Sequence, residues 1–422
     1  MAIGKRRRRD FRRMTRVVNV CALSLALVSV TGAQGPAVPL QELYERRSWF
    51  ELRDAIAGAS VPPLYRGAVA SAFNHVAEAE RYLGDAIREA VDVSAANEAR
   101  GLLAIQHIRR GRSADAGRLL DDILRVAPQR TDVRDLRNTF GALADRPNLR
   151  VQLRRQTTFS CDVSREGVRI PVSINGKTVH WLVDTGANIS VLSESEAKML
   201  GLAGDGPAGR AADFAGGQTV SRTAVAARVA VGGTELRDVA MLVIPDSQPP
   251  WNEFKAGRRG AVGLPVALAL GTLRWSSAGT CQMGIGASAS APAEANLVFD
   301  WLTPIARVRF AGVWLDLMLD TGNTGGSQLW ERFGREFAAL ITERGQKGMK
   351  RLTQVGGSRE LETIVIPELR LRIGGFDTVL QPATVFPKPV GNELRHGNLG
   401  MDLLGQASTV TIDFPTMSMT LQ

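Results

Sequence analysis

The sequence predicts an all-α N-terminal region followed by an all-β region made of two similar halves, and three observations lead there. From about Leu40 to Ala144 the chain is rich in Ala, Leu, Arg and Glu, with apolar residues such as Leu119, Leu120, Ile123 and Leu124 gathered on one helical face. After about Val151 it changes to short β-branched runs separated by glycine-rich turns, as in VRIPVSING, VAARVAVGG and ELRLRIGG. That β region then repeats itself around two Asp-Thr-Gly tripeptides, at Asp184 to Gly186 and Asp320 to Gly322. At 422 residues the chain is longer than one core usually needs, which fits several structural units.

The first element is a basic start followed by an apolar stretch. Residues 1–33 supply +7 of the formal net charge of +10, through Lys5, Arg6, Arg7, Arg8, Arg9, Arg12, Arg13 and Arg16 against Asp10. The remainder is therefore nearly balanced, and nucleic acid is not an expected partner. Val17 to Val30 is apolar and ends in small residues placed for cleavage after Ala33, the pattern of an export signal over residues 1–33. Arg8-Arg9-Asp10-Phe11 also fits the twin-arginine form of such signals. The expected location is extracytoplasmic, periplasmic or secreted; left uncleaved, the same stretch would anchor the chain to a membrane.

Residues 40–146 form the helical region. Within it Ala104, Gly111, Ala116, Leu120 and Pro128 resemble a tetratricopeptide repeat, with an echo at Ala79, Leu83 and Ala86 offset by 37 residues. The resemblance implies a surface that docks a protein partner; an ordinary helical bundle fits the same pattern. Pro147 and its polar neighbours close this unit, which reads as separate from the β region.

The β region divides at GASASAPAEAN, residues 286–296, a linker composition. The two sides align through VDTG and LDTG, with Gly176 and Gly312 each eight residues before their aspartate. Downstream come the glycine pairs Gly216-Gly217 and Gly356-Gly357, then Gly232-Gly233 and Gly374-Gly375, then Pro245 and Pro387. Each half closes on an apolar-Gly segment, Ala261-Val262-Gly263 and Asn398-Leu399-Gly400. Just past the first DTG loop, Ser193 and Glu196 make a capping-box pattern for a short helix before Gly201.

Two DTG loops at equivalent points of an internal repeat resemble a single-chain aspartic peptidase, retropepsin-like or pepsin-like, over about residues 155–422. The resemblance implies lobes at 155–285 and 297–422, each of the six-stranded type, and a protein or peptide substrate. It places Asp184 and Asp320 as a catalytic dyad holding the lytic water. Two carboxylates at short range share one proton, so one takes a proton from water while the other gives one to the carbonyl oxygen, which needs neither metal nor cofactor. Gly186 and Gly322 allow the loops to approach, and by the same resemblance Thr185 and Thr321 hydrogen-bond across to the opposite loop.

Ala187 suits the position after DTG, whereas Asn323 departs from it: its amide could donate to the outer carboxylate oxygen or disturb the loop. The stretch Thr324-Gly325-Gly326-Ser327 is one residue longer than its counterpart before the register resumes at Leu329. All tyrosines (Tyr44, Tyr65, Tyr82) lie in the helical region, so no tyrosine flap is available. The glycine pairs at Gly216, Gly217, Gly356 and Gly357 are the flap candidates, with ordinary hairpin turns as the other reading. Cys161 and Cys281 either join in a disulfide, as an oxidising compartment favours, or remain two small buried thiols. His75, His107, His180 and His396 show no metal-binding spacing, and His180 and His396 read as structural. The expectation is an exported aspartic endopeptidase with a mildly acidic optimum; the rival is a peptide-binding protein on the same fold, its helical repeats recruiting a partner.

Overall fold

Seven helices open the fold of the computed structural model, which describes residues 38–144, 146–204, 209–212, 218–249, 251–284, 294–354, 357–390 and 393–422. They are α1 (Leu40–Glu45), α2 (Trp49–Ile56), α3 (Pro63–Ala72), α4 (Val76–Arg88), α5 (Val93–Arg109), α6 (Ser113–Val126) and α7 (Thr131–Ala144). Local chemistry sets their starts: Pro63 occupies the first turn of α3, and the Asp92 side chain caps α5 by accepting from Ala95 N–H at 2.8 Å. Successive helices from α2 to α7 pack against one another in chain order. The residues of the 37-residue offset fall at matching places, Ala79, Leu83 and Ala86 buried in α4, and Ala116, Leu120 and Ile123 buried in α6.

The first β half runs β1 (Arg150–Leu153), β2 (Thr157–Ser160), β3 (Asp162–Ser164), β4 (Gly167–Ile174), β5 (Lys177–Val183), β6 (Ser190–Ser193), α8 (Glu194–Leu200), β7 (Gly209–Ala212), β8 (Gln218–Val231), β9 (Thr234–Ile244), β10 (Gly260–Val262), α9 (Leu264–Leu270), β11 (Thr272–Ser276) and β12 (Thr280–Met283). The second runs β13 (Leu297–Asp300), β14 (Thr303–Phe310), β15 (Val313–Leu319), β16 (Gln328–Leu329), α10 (Glu331–Glu336), α11 (Ala338–Arg344), β17 (Gln346–Gln354), β18 (Gly357–Ile366), β19 (Leu369–Ile373), β20 (Phe376–Leu380), β21 (Ala383–Val385), β22 (Gly397–Leu399), α12 (Met401–Leu404), β23 (Thr409–Asp413) and β24 (Ser418–Leu421). Strand β1 lies ahead of the start read from sequence and pairs antiparallel with β9.

Both halves share a pairing pattern at their centre. Strand β10 lies between β5, parallel, and β6, antiparallel, and β6 runs parallel to β9. In the second half β22 lies between β15, parallel, and β16, antiparallel, and β16 runs parallel to β21. A third sheet, in the order β2-β12-β11-β23-β24, takes strands from both halves and joins them through β11 and β23, with Thr272 opposite Asp413 and Ser276 opposite Thr409. A disulfide links Cys161 to Cys281 at a Cα separation of 5.8 Å, closing a span of 120 residues.

The helices are not the separate unit that the sequence suggests. Residues Leu40 to Gln422 form one compact unit; of the first 39 residues only Val38 and Pro39 are described. Trp49, Phe50, Leu52 and Ile56 of α2 share a core with Val298 and Ile305, while Leu120, Ile123 and Phe140 share one with Ile189. A buried polar joint accompanies this contact. Arg109 donates to Ser71 O (2.9 Å), Ser71 Oγ (2.7 Å) and Trp301 O (3.0 Å), with its guanidinium 4.5 Å from the centre of the Phe299 ring. Asp300 receives Arg47 (2.9 Å) and the buried Arg395 (2.7 Å).

Candidate active site

Strands β5 and β15 each end by delivering an aspartate to a tight loop. Asp184 N–H donates to Val262 O and Asp320 N–H to Leu399 O, both at 3.0 Å, so each loop is tied to the strand running parallel beside it. On the far side, Leu264 N–H donates to Ala187 O (2.8 Å) and Met401 N–H to Asn323 O (3.1 Å). Gly263 N–H and Gly400 N–H donate to the hydroxyls of Ser190 (3.1 Å) and Ser327 (2.8 Å). The apolar-Gly segments thus underlie both loops.

The two loops meet. Thr185 Oγ1 donates to Leu319 O (2.8 Å) and accepts from Thr321 N–H (3.1 Å); Thr321 Oγ1 donates to Val183 O (2.7 Å) and accepts from Thr185 N–H (3.1 Å). Both threonines are fully buried, so every donor and acceptor in this crossed set depends on the others. A Cβ on Gly186 would come within 2.7 Å of Asp320 Cγ, and one on Gly322 within 2.4 Å of Asp184 Cγ. Each carboxyl therefore overhangs the glycine of the opposite loop, and only a residue without a side chain fits beneath it.

Their hydrogen bonds differ. Asp184 Oδ1 accepts from Gly186 N–H (2.9 Å) and Ala187 N–H (3.1 Å), while Asp320 Oδ1 accepts from Gly322 N–H (3.0 Å). Burial raises the pKa of Asp184, and the Gly186 and Ala187 amides together with a hydrogen bond from Asp320 oppose that rise. Burial and the adjacent Asp184 charge push Asp320 up to about 8. Two carboxyls this close and this buried titrate as a coupled pair, with one proton held between them.

Asn323 does not reach the outer carboxylate oxygen. Its Nδ2 donates to Gly326 O (2.9 Å) and to Asn398 Oδ1 (3.1 Å), and the latter oxygen also accepts from Gln328 N–H (3.1 Å). The amide braces the extra residue of the second loop, a task absent from the first loop, where Ala187 and Ala261 occupy the matching places. Asn398, Ser327 and Asp402 were missed in the sequence. A polar residue at the first apolar slot of Asn398-Leu399-Gly400 was the available signal for Asn398; Asp402 Oδ1 accepts from Ser327 N–H (2.9 Å) and Oγ (2.6 Å) through a contact no local pattern reveals.

Of the flap candidates, Gly357 opens β18 at φ +121, opposite Gln354 at the end of β17. Gly216, Gly217 and Gly356 lie outside the described residues, as do the export signal and residues 286–293 of the linker. Ser193 Oγ accepts from Glu196 N–H (3.3 Å), but the Glu196 carboxylate does not return to Ser193. It takes Trp181 Nε1–H (3.0 Å) and Gly257 N–H (2.9 Å) instead, so the capping box is half formed. His396 is buried; its Nδ1 accepts from Asp316 N–H (2.9 Å) and its Nε2 faces Glu336 (3.0 Å), while burial and Arg332 draw its pKa down. Among the described residues no group of three or more His, Cys, Asp or Glu is placed to hold a metal ion.

Residues 170–266 match a family model described as aspartyl protease, a segment that spans Asp184 and reaches the Gly263 turn. No curated protein matches the sequence. Among solved structures, a retropepsin-like aspartic protease from Rickettsia conorii is 14% identical, with 32% of this chain and 94% of that chain covered and a TM-score of 0.25. The family match, together with two facing aspartate loops, supports an aspartic peptidase family for this chain.

Proposed function

We propose that this chain is an exported endopeptidase of the single-chain, double-lobed aspartic type, cleaving peptide bonds in extended segments of protein substrates. The observation that carries the reading is the crossed threonine set beneath two facing carboxyls. Asp184, with two backbone donors on one oxygen, is the better anion and acts as general base on a water held between the pair. Asp320, whose proton is retained by burial and by its neighbour's charge, is the general acid toward the carbonyl oxygen of the scissile bond. As the tetrahedral intermediate collapses, the proton taken by Asp184 passes to the leaving amine.

Asn323 is the feature that favours a non-catalytic binder in the sequence. Its engagement with Gly326 and Asn398 gives it a bracing task compatible with turnover. The hairpins β7–β8 and β17–β18 are assigned to covering the substrate backbone. The helical region is assigned to docking a partner and to supporting the cleft, since α7 lies against β7. Export and cleavage of residues 1–33 complete the proposal.

The test is replacement of Asp184 or Asp320 by Asn in the purified chain, assayed on an unfolded protein. Each variant is expected to lose at least about 1,000-fold in kcat/KM. Wild-type activity in either would remove the dyad assignment.

A further inference from the structure

The loop after Asp320 differs from its partner in a way that bears on which substrates the cleft takes, an inference that rests on the peptidase reading. The added residue leaves Gly325-Gly326 at the outer end of the loop, with Gly326 at φ +90. A Cβ on Gly326 would lie 3.5 Å from Asp402 Oδ2 and 3.8 Å from Lys350 Nζ. The bare backbone thus leaves a space bordered by one carboxylate oxygen and one ammonium.

These two groups are not equally committed. The other oxygen of Asp402 already holds Ser327 through two hydrogen bonds. Lys350 stands on β17, partly buried between exposed Met349 and Arg351, on the same face of the strand as buried Leu352. Among the described residues no carboxylate lies within the 4.0 Å of an ion pair with it. Burial lowers its pKa, with Asp402 partly opposing. The hairpin therefore hangs a lysine over the loop that presents Asp320, because the Gly326 carbonyl beneath it is bonded to Asn323, three residues after that aspartate. The first hairpin carries a cation at the matching place, Arg210 six residues before Gly216 as Lys350 is six before Gly356. An ammonium kept from water without a close counter-ion gains most from a carboxylate delivered to it.

We propose that Lys350 is a specificity-determining residue that makes the cleft prefer substrates with an Asp or Glu side chain close to the scissile bond. The experiment compares pairs of peptides that differ only in Glu or Gln at each position flanking the cleaved bond. Wild type is expected to favour Glu at one of these positions by roughly tenfold in kcat/KM, as befits a hydrogen bond between charged groups. Lys350→Met should bring that ratio to about one, Lys350→Arg should keep it, and Lys350→Glu should invert it.

Equal cleavage of Glu and Gln peptides by wild type at every position would overturn the proposal. So would a Lys350→Met enzyme that keeps the preference, or one that loses activity on both members alike, which would mark a purely structural lysine. If wild type cleaves none of the peptides and matches Asp184→Asn on unfolded protein, the peptidase reading falls and this inference falls with it.

Discussion

Asp184 and Asp320 share one buried environment, and their burial and mutual charge set the pH dependence. On the proposed mechanism, activity needs Asp184 ionised and Asp320 protonated. Raised values at both sites move the acid limb of kcat/KM above that of an ordinary aspartate, and the alkaline limb should fall as pH rises through about 8. The expected profile peaks between mildly acidic and neutral pH; a maximum below about pH 3 would reject the assignment. The same pair also costs stability. An acid whose folded pKa lies above its unfolded value contributes stability that is present at low pH and lost as pH rises from 3.8 toward about 8. Asp320→Asn should therefore be inactive yet melt higher than wild type at pH 8, by roughly 2–4 °C, about 1 kcal/mol. A lower melting temperature would contradict the burial argument.

Loops and strands show what the sequence made legible and where it stopped. Both aspartate loops, their supporting segments and the site of the one-residue insertion were readable, because each rests on residues that a tight turn or close approach restricts to Gly, Asp or Thr. Pairing between distant strands was not. Strand β2 joins β12 in a shared sheet through contacts more than 100 residues apart, which no local periodicity encodes. Glu196 reads in the sequence as half of a reciprocal cap, but a buried indole N–H competes for its carboxylate and wins, since an unmet donor there would cost about 1–3 kcal/mol. The threonine cross is testable in the same terms. Thr321→Val strips a partner from Val183 O and from Thr185 N–H. Stability to urea should fall by about 2–4 kcal/mol, and kcat by roughly 100-fold as the carboxyls lose their spacing; Thr321→Ser should restore most of both.

Across the whole molecule, the helices complete the β region instead of decorating it. In the sequence, Ile189, Val298 and Ile305 look like ordinary strand residues, and nothing marks them as facing helices far away along the chain. A chain beginning at Arg150 would expose these side chains and strip Arg109 and Arg47 from their partners. That fragment should be poorly soluble and unfold well below the full chain in a thermal melt; a soluble, active fragment would show that the helices only dock.

The join between β11 and β23 has a consequence for how such a protein can change over generations. Where two identical copies build one site, any mutation appears twice and must suit both flanks at once. Here one reading frame encodes both flanks separately, so a lengthened turn can be tried on one side while the other stays as it is. Ala187 on one flank and Asn323 on the other are two such independent solutions within one chain.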